Sequence, residues 1–163
     1  MMTEMENFIQ LKKDNILRFG IKTSDGVDTG EHLEFDLEDI ELPLRINQCE
    51  AQHRKNLEYL KMQFMIIDKK EDKKGKFVLT WREEEKLKVL QEFYKREMDA
   101  LDLFLGENGT KKLLNGRKPY VTMYQDINEM LEPIMPKLEV RADNIINKIK
   151  DKYGSNKEKD VLE

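Results

Sequence analysis

"TWREEEKLKVLQEFYKREMDALDLFLG", residues 80–106, is the stretch from which the fold is read. Leu87, Leu90, Tyr94, Met98, Leu101 and Leu105 recur at spacings of three and four, which lines them up on one face of a helix. Glu84 with Lys88 and Glu92 with Arg96 give the favourable i,i+4 charge order on the outside. The start is marked by Thr80 and Glu83, a T-x-x-E capping box in which hydroxyl and carboxylate satisfy orphaned N–H groups. Gly106 ends the pattern as a C-cap, because glycine accepts a left-handed conformation without a Cβ penalty.

Upstream lies a second helical pattern. Pro43 suits a first turn, where its missing N–H costs nothing, and the helix is expected to run to about Asp68. Ile46, Cys49, His53, Leu57, Leu60, Phe64 and Ile67 form its stripe. Between the two helices, "KKEDKKGKF" (69–77) breaks the period with Gly75 and dense charge, so it reads as a solvated connector, and "FVLT" is compatible with a short strand. Further upstream, "ILRFGIK" (16–22) and "HLEFDL" (32–37) alternate apolar and polar residues around the turn-rich "TSDGVDTGE", the pattern of a β-hairpin. A lone two-stranded ribbon is marginal in water, so it must lean on a helix or pair with another chain.

Downstream, "LFLGENGTKKLLNG" (103–116) places three glycines and two adjacent leucines between helical segments. Thr110 is expected to cap one further helical turn, with Leu113 and Leu114 packing it across the ends of both long helices. Tyr120 to Tyr153 is helical again, with Ile127, Met130, Leu131, Ile134, Leu138, Ile145, Ile146 and Ile149 apolar, and a kink or break is expected at Pro133 and Pro136. Gly154 stops it, and "SNKEKDVLE" (155–163) reads as a flexible polar tail. The expected fold is mainly α (α+β): one domain over residues 1–154, with an N-terminal β-hairpin at about 16–37 followed by three or four amphipathic helices.

Totals agree with such a unit. A globular domain of 163 residues buries about 70% of its unfolded surface. Apolar residues at 39% and charged residues at 38% suit amphipathic helices with a charged exterior. The net charge of −4 creates no global field for nucleic acid or anionic membrane. Charge is nevertheless segregated: Ser24 to Glu41 holds eight carboxylates and no Lys or Arg, whereas Lys69, Lys70, Lys73, Lys74 and Lys76 crowd a later stretch. That asymmetry is able to orient partners or neighbouring subunits. Cys49 is the only cysteine, so an intramolecular disulfide is excluded and a reducing cytoplasm is the natural setting. The first twenty residues show no long apolar h-region, and no segment approaches a membrane span of roughly 18 apolar residues, so a soluble, non-exported protein is expected.

Residue chemistry points to no catalytic set, metal site or cofactor. His32 and His53 belong to no ligand spacing; His53 reads as a hydrogen-bonded helix residue and His32 as a strand surface residue. Cys49, four positions before His53, lacks a visible third group to orient the imidazole as a base. The acidic loop lacks EF-hand order, "GENGTKK" lacks P-loop spacing, and "NGT" at Asn108 reads as a turn. The 69–76 lysine cluster is interrupted by Glu71 and Asp72 and has only Phe77 beside it for base stacking.

The order of parts resembles one family. "GEHLEFDLEDIELPLRINQCEAQHRKNLEYL", a charged helix, and "DALDLFLGENGTKKLLNGRKPYVTMYQDINEML" resemble the tail assembly chaperones of long-tailed phages and prophages, small helical proteins made beside the tape measure protein. Asp102, Phe104, Gly106, Gly109, Thr110, Lys112 and Leu114 approximate that family's "D-x-x-F-G-x-G-T/S-x-K-x-F/L" phrase, with Leu105 and an additional residue departing from it. The likeness spans about residues 30 to 152. It implies a protein that oligomerises in the host bacterial cytoplasm and coats the apolar helical tape measure protein until tail tube protein replaces it. The expected partner-binding residues are Met98, Leu101, Phe104, Leu105, Leu113, Leu114, Met123, Ile127 and Met130, with Met135 beside them; methionine adapts to varied partners. An exposed N-terminal strand is expected to pair between subunits. The alternatives are another phage structural or connector protein and a nucleic-acid-binding regulator using the 69–76 lysines.

Overall fold

The computed structural model describes residues 7–11 and 15–154, so the 155–163 tail lies outside the described residues. Strands β1 (Ile16–Lys22) and β2 (Asp28–Asp36) pair antiparallel, with Leu17 opposite Phe35 and Phe19 opposite Leu33. β2 begins earlier than the alternation implied. The turn closes within Thr23–Val27, where Thr23 N–H donates to Val27 O at 2.8 Å and Gly26 sits at φ 83°. Asp28 and Glu31 therefore belong to the strand.

Helices α1 (Glu41–Asp68) and α2 (Trp81–Leu105) form a long antiparallel pair. α2 begins with the expected reciprocal capping box of Thr80 and Glu83, and Gly106 closes it at φ 92°. Short α3 (Gly109–Leu114) follows, then α4 (Met123–Leu131) and α5 (Met135–Ile149), which ends in a π-helical turn at Lys150–Gly154. The expected break at the prolines separates α4 from α5, which carries Pro136 in its first turn. The fold is thus mainly helical with an N-terminal hairpin, and the last helical stretch is two helices.

One core joins hairpin and helices. Phe35 stacks on Phe104 at 5.2 Å between centroids and meets Phe19 at 6.0 Å, while Leu101, Met123, Ile127 and Leu131 close around them. The hairpin thus obtains the apolar support that a two-stranded ribbon needs.

The distal halves of α1 and α2 carry few fully buried side chains and form an arm. Arg96 lies 3.8 Å from the centroid of Tyr59, Lys86 lies 5.3 Å from that of Phe64, and Lys86 pairs with Asp68 at 2.6 Å. At its end the Arg82 guanidinium donates to Asp68 O, a carbonyl that α1 leaves open in a last turn without a basic residue, and to Lys70 O in the connector. The connector 69–80 contains no strand; Phe77 and Val78 stand 95% and 92% exposed.

Around "GENGTKK" the cap differs from expectation. Asn108, left-handed at φ 59°, precedes α3, and Thr110 lies inside it. The Thr110 N–H and hydroxyl both donate to Asp102 Oδ1, at 2.9 and 2.7 Å, so the threonine ties α3 back to α2. Gly109 is required by closeness: a Cβ there would stand 2.5 Å from Leu105 Cβ. Gly109→Ala is expected to cost about 1–3 kcal/mol by overpacking, read as a lower urea midpoint with an unchanged m-value.

Candidate functional site

Two of the clefts on the body of the protein adjoin the nominated residues. The first lies between β1, α3 and α4 and has a volume of about 460 Å³. Phe19 and Ile21 floor it, Leu113 and Leu114 form one wall, and Ile127 with Met130 forms the other. Tyr120, carrying the Arg117 guanidinium 4.2 Å from its ring centroid, borders it, and Lys22 and Asp126 are its charged lining residues. α3 positions the leucines because Thr110 and Gly109 pin it to the end of α2, and Pro133 ends α4 at the cleft's far side.

Four of the nine nominated partner-binding residues, Leu113, Leu114, Ile127 and Met130, therefore share one apolar cleft, and Met130 is 53% exposed. Leu101, Phe104, Leu105 and Met123 do not join them. These four are buried in the core, where Phe104 supports the hairpin and Met123 turns inward from the start of α4, and Ile127, although it lines the cleft, is as buried as they are at 5% exposed. Met98 and Met135 pack partly buried against the same core. The periodic signal that nominated all of them is the signal of any inward face.

The second cleft, about 860 Å³ and more open, lies between α1 and α4 and is lined by Cys49, Glu50, His53, Arg54, Tyr124 and Asn128 among others. Beneath it sits a polar cluster that apolar periodicity did not reveal. Glu97 on α2 is 2% exposed. His53 Nδ1 lies 2.6 Å from its Oε2, and Asn56 Nδ2 donates to its Oε1 at 2.8 Å. Gln52 Nε2 in turn donates to Asn56 Oδ1 at 2.8 Å. The His53 ring stacks on Tyr124, 3.5 Å between centroids and 3° from parallel. His53 is thus a hydrogen-bonded helix residue, and His32 lies on the strand surface against Glu34 at 3.0 Å.

Glu97 is the third group beside Cys49 and His53 that sequence reading missed, yet the thiol is not activated. Burial pushes Cys49 up to about 11, opposed by a hydrogen bond with Tyr124 and reinforced by the charges of Glu97 and Glu50. A nucleophilic cysteine needs the opposite direction. Burial likewise pushes the Tyr124 phenol up to about 12. Among the described residues no three His, Cys, Asp or Glu side chains gather as a metal site, and no helix is long and apolar enough to cross a membrane.

No family model, no curated protein and no solved structure matches the chain.

Two outcomes follow from the polar cluster. Glu97→Ala leaves Asn56 and His53 without their shared acceptor and is expected to cost about 3 kcal/mol in urea unfolding. For Cys49, the unfolded chain releases its proton near pH 9 while the native state holds it to about 11. The native state therefore binds more protons between those values, so the stability from this group is full below pH 9 and declines from there through pH 11. Urea midpoints at pH 8, 9, 10 and 11 should fall across that window, and Cys49→Ser should flatten part of the slope.

Proposed function

We propose that the chain is a tail assembly chaperone of a long-tailed phage or prophage, and that the apolar cleft between β1, α3 and α4 holds segments of the tape measure protein. The observation that carries this reading is the convergence of Leu113, Leu114 and Met130 on one cleft of about 460 Å³, whose wall the largely buried Ile127 completes. An amphipathic helix is recognised by laying anchors at i, i+3 or i+4 into such a groove. The cleft's walls suit varied segments of a long helical client, because Met130 repacks easily and the cleft's few polar groups impose little sequence demand. The order of sequence motifs, including Asp102, Gly106, Gly109 and Thr110, supports the same reading. So does the way those residues act together: they seat α3, and α3 forms a wall of the cleft.

On this reading the chain is a homo-oligomer in the host bacterial cytoplasm, and tail tube protein displaces it from the client. Binding is reversible because the anchors are a handful of side chains, each contributing about 1.5–3 kcal/mol when buried.

Co-expression with the tape measure protein encoded beside it should keep that protein soluble. Leu114→Asp/Met130→Asp should cut the soluble client by more than about tenfold, since two lost anchors outweigh the roughly 1.4 kcal/mol of a decade in affinity. A client equally insoluble with and without the chain, or equally soluble with the double variant, defeats the proposal.

A further inference from the structure

We propose that the tip of the arm, Phe77 and Val78 with the lysines around them, docks on an anionic lipid surface. A solvated connector needs neither a fixed shape nor apolar side chains, and this one has both. Asp72 accepts from the N–H groups of Lys73 and Arg82 at 2.9 and 3.0 Å, and Trp81 N–H donates to Lys73 O at 2.8 Å. The Arg82 guanidinium holds the root of the loop against the end of α1. Gly75 passes so close to the returning chain that a Cβ there would overlap the Leu79 carbonyl oxygen. On this braced loop Phe77 and Val78 stand 95% and 92% exposed, and Met65 and Ile66 in the last turn of α1 extend the exposed apolar surface behind them.

The charge around the pair is positive. Lys73, Lys74 and Lys76 flank it, exposed, and Lys69 and Lys70 are exposed at the root of the loop. These five lysines share residues 69–76 with two carboxylates, Glu71 and Asp72, and Asp72 is turned to backbone donors. The other carboxylates of this end are engaged: Asp68 pairs with Lys86, Glu83 closes the capping box, and Glu84 and Glu85 meet Lys88. An apolar pair ringed by lysines matches a surface that is negative on top and apolar beneath, the layering of an anionic bilayer. Phe77 and Val78 enter the acyl boundary while the ammonium groups stay among the headgroups. A nucleic acid would use the lysines and stack on Phe77, but it leaves Val78 in water.

Shape and the segregation of charge agree. The loop is the convex end of an arm, and a fluid surface needs no complementary socket to receive it. α1 begins at the acidic 24–41 segment and ends at this loop, and its 28 residues span about 42 Å. End-on approach keeps the acidic segment far outside the Debye length of about 8 Å at physiological ionic strength, so the net charge of −4 does not oppose contact. Side-on approach would bring that segment to the headgroups, so the field orients the arm as well as attracting it.

The inference goes beyond the client-binding reading and uses none of the cleft's residues, so each stands or falls on its own measurement. Flotation of the full chain with vesicles tests it, using phosphatidylcholine alone and its equimolar mixture with phosphatidylserine. The wild type is expected to float with the mixture and not with phosphatidylcholine, and to be released as salt is raised. Lys73→Glu/Lys74→Glu/Lys76→Glu should weaken binding by more than about a hundredfold, at roughly fivefold for each lysine near the surface. Phe77→Ser/Val78→Ser, at exposed positions, should weaken it by more than about tenfold with unchanged circular dichroism. Insertion has its own readout, because Trp81 is the only tryptophan. In Trp81→Phe/Phe77→Trp the indole emission should shift to the blue on the anionic vesicles and be quenched by brominated acyl chains. A wild type that stays unbound to the mixture, floats equally with neutral vesicles, or binds as well without Phe77 and Val78 overturns the proposal. So does an indole emission that does not move, or a tip that prefers duplex DNA or polyglutamate to the vesicles at equal anionic charge.

Discussion

A carboxyl group buried between two helices must find its partners at a fixed place, and Glu97 finds both on one helix. His53 and Asn56 lie within one turn of α1 and approach the two oxygens of the same side chain at 2.6 and 2.8 Å. Sliding α1 along α2 by one turn would leave all three groups buried and unmet, at a cost exceeding the gain from any single apolar contact nearby. The register of the long pair is thereby set by polar groups, whereas its apolar contacts alone would tolerate slippage. His53 extends the constraint to a third helix, because its ring lies flat on Tyr124 of α4. α4 then carries Met123 and Ile127 inward and Met130 outward, which makes one wall of the apolar cleft.

The second anchor of that cleft is independent of the first. Asp102 accepts two hydrogen bonds from Thr110, and the absence of a Cβ at Gly109 lets α3 lie against Leu105. Leu113 and Leu114 therefore face α4 from a helix only six residues long, too short to hold its own shape in water. A cleft built this way has firm floors and adaptable walls. The hairpin residues Phe19 and Ile21 are fixed by the core, while the walls end in leucine and methionine side chains that change rotamer at little cost.

Local chemistry was legible in the sequence, and distance across the fold was not. The capping box at Thr80 and Glu83, the closing glycine at 106 and the break at Pro133 and Pro136 each depend on residues within a few positions of one another, and all occur. The buried role of Asn56 and Glu97 escaped because a reading of apolar period counts them as exterior, and their partners lie 41 and 44 residues away. Two polar residues on facing stripes of consecutive helices were the available signal. Thr110 was misread as a cap for the same reason, since its acceptor lies eight residues back on another helix. The nominated binding residues divided between core and cleft because periodicity finds an inward face but does not say where the neighbouring element stops. Phe104 meets the hairpin, whereas Met130 lies one turn beyond its cover.

Charge is arranged along the length of the molecule, and the helices explain how that arrangement persists. In the acidic 24–41 segment, Arg18 pairs with Glu34 at 2.9 Å, Arg45 pairs with Asp39, and Lys112 approaches Glu31 at 4.0 Å. Cations from β1, α1 and α3 thus relieve a repulsion that the segment could not relieve internally. The Arg18 guanidinium holds the exposed Glu34 carboxyl below the usual carboxylate range, and that of Arg45 does the same for Asp39. At the arm's tip the balance is struck differently. Asp72 is occupied by the backbone N–H groups of Lys73 and Arg82, the latter chiefly lowering its pKa, and so fixes the loop's shape, while Lys70 lies 5.8 Å from the Trp81 ring centroid. Lysines crowded on a short loop repel one another in the folded chain, and a carboxylate that pairs with backbone donors relieves this only in part. The body thus supplies counter-ions to its acidic end, and the arm withholds them from its basic end.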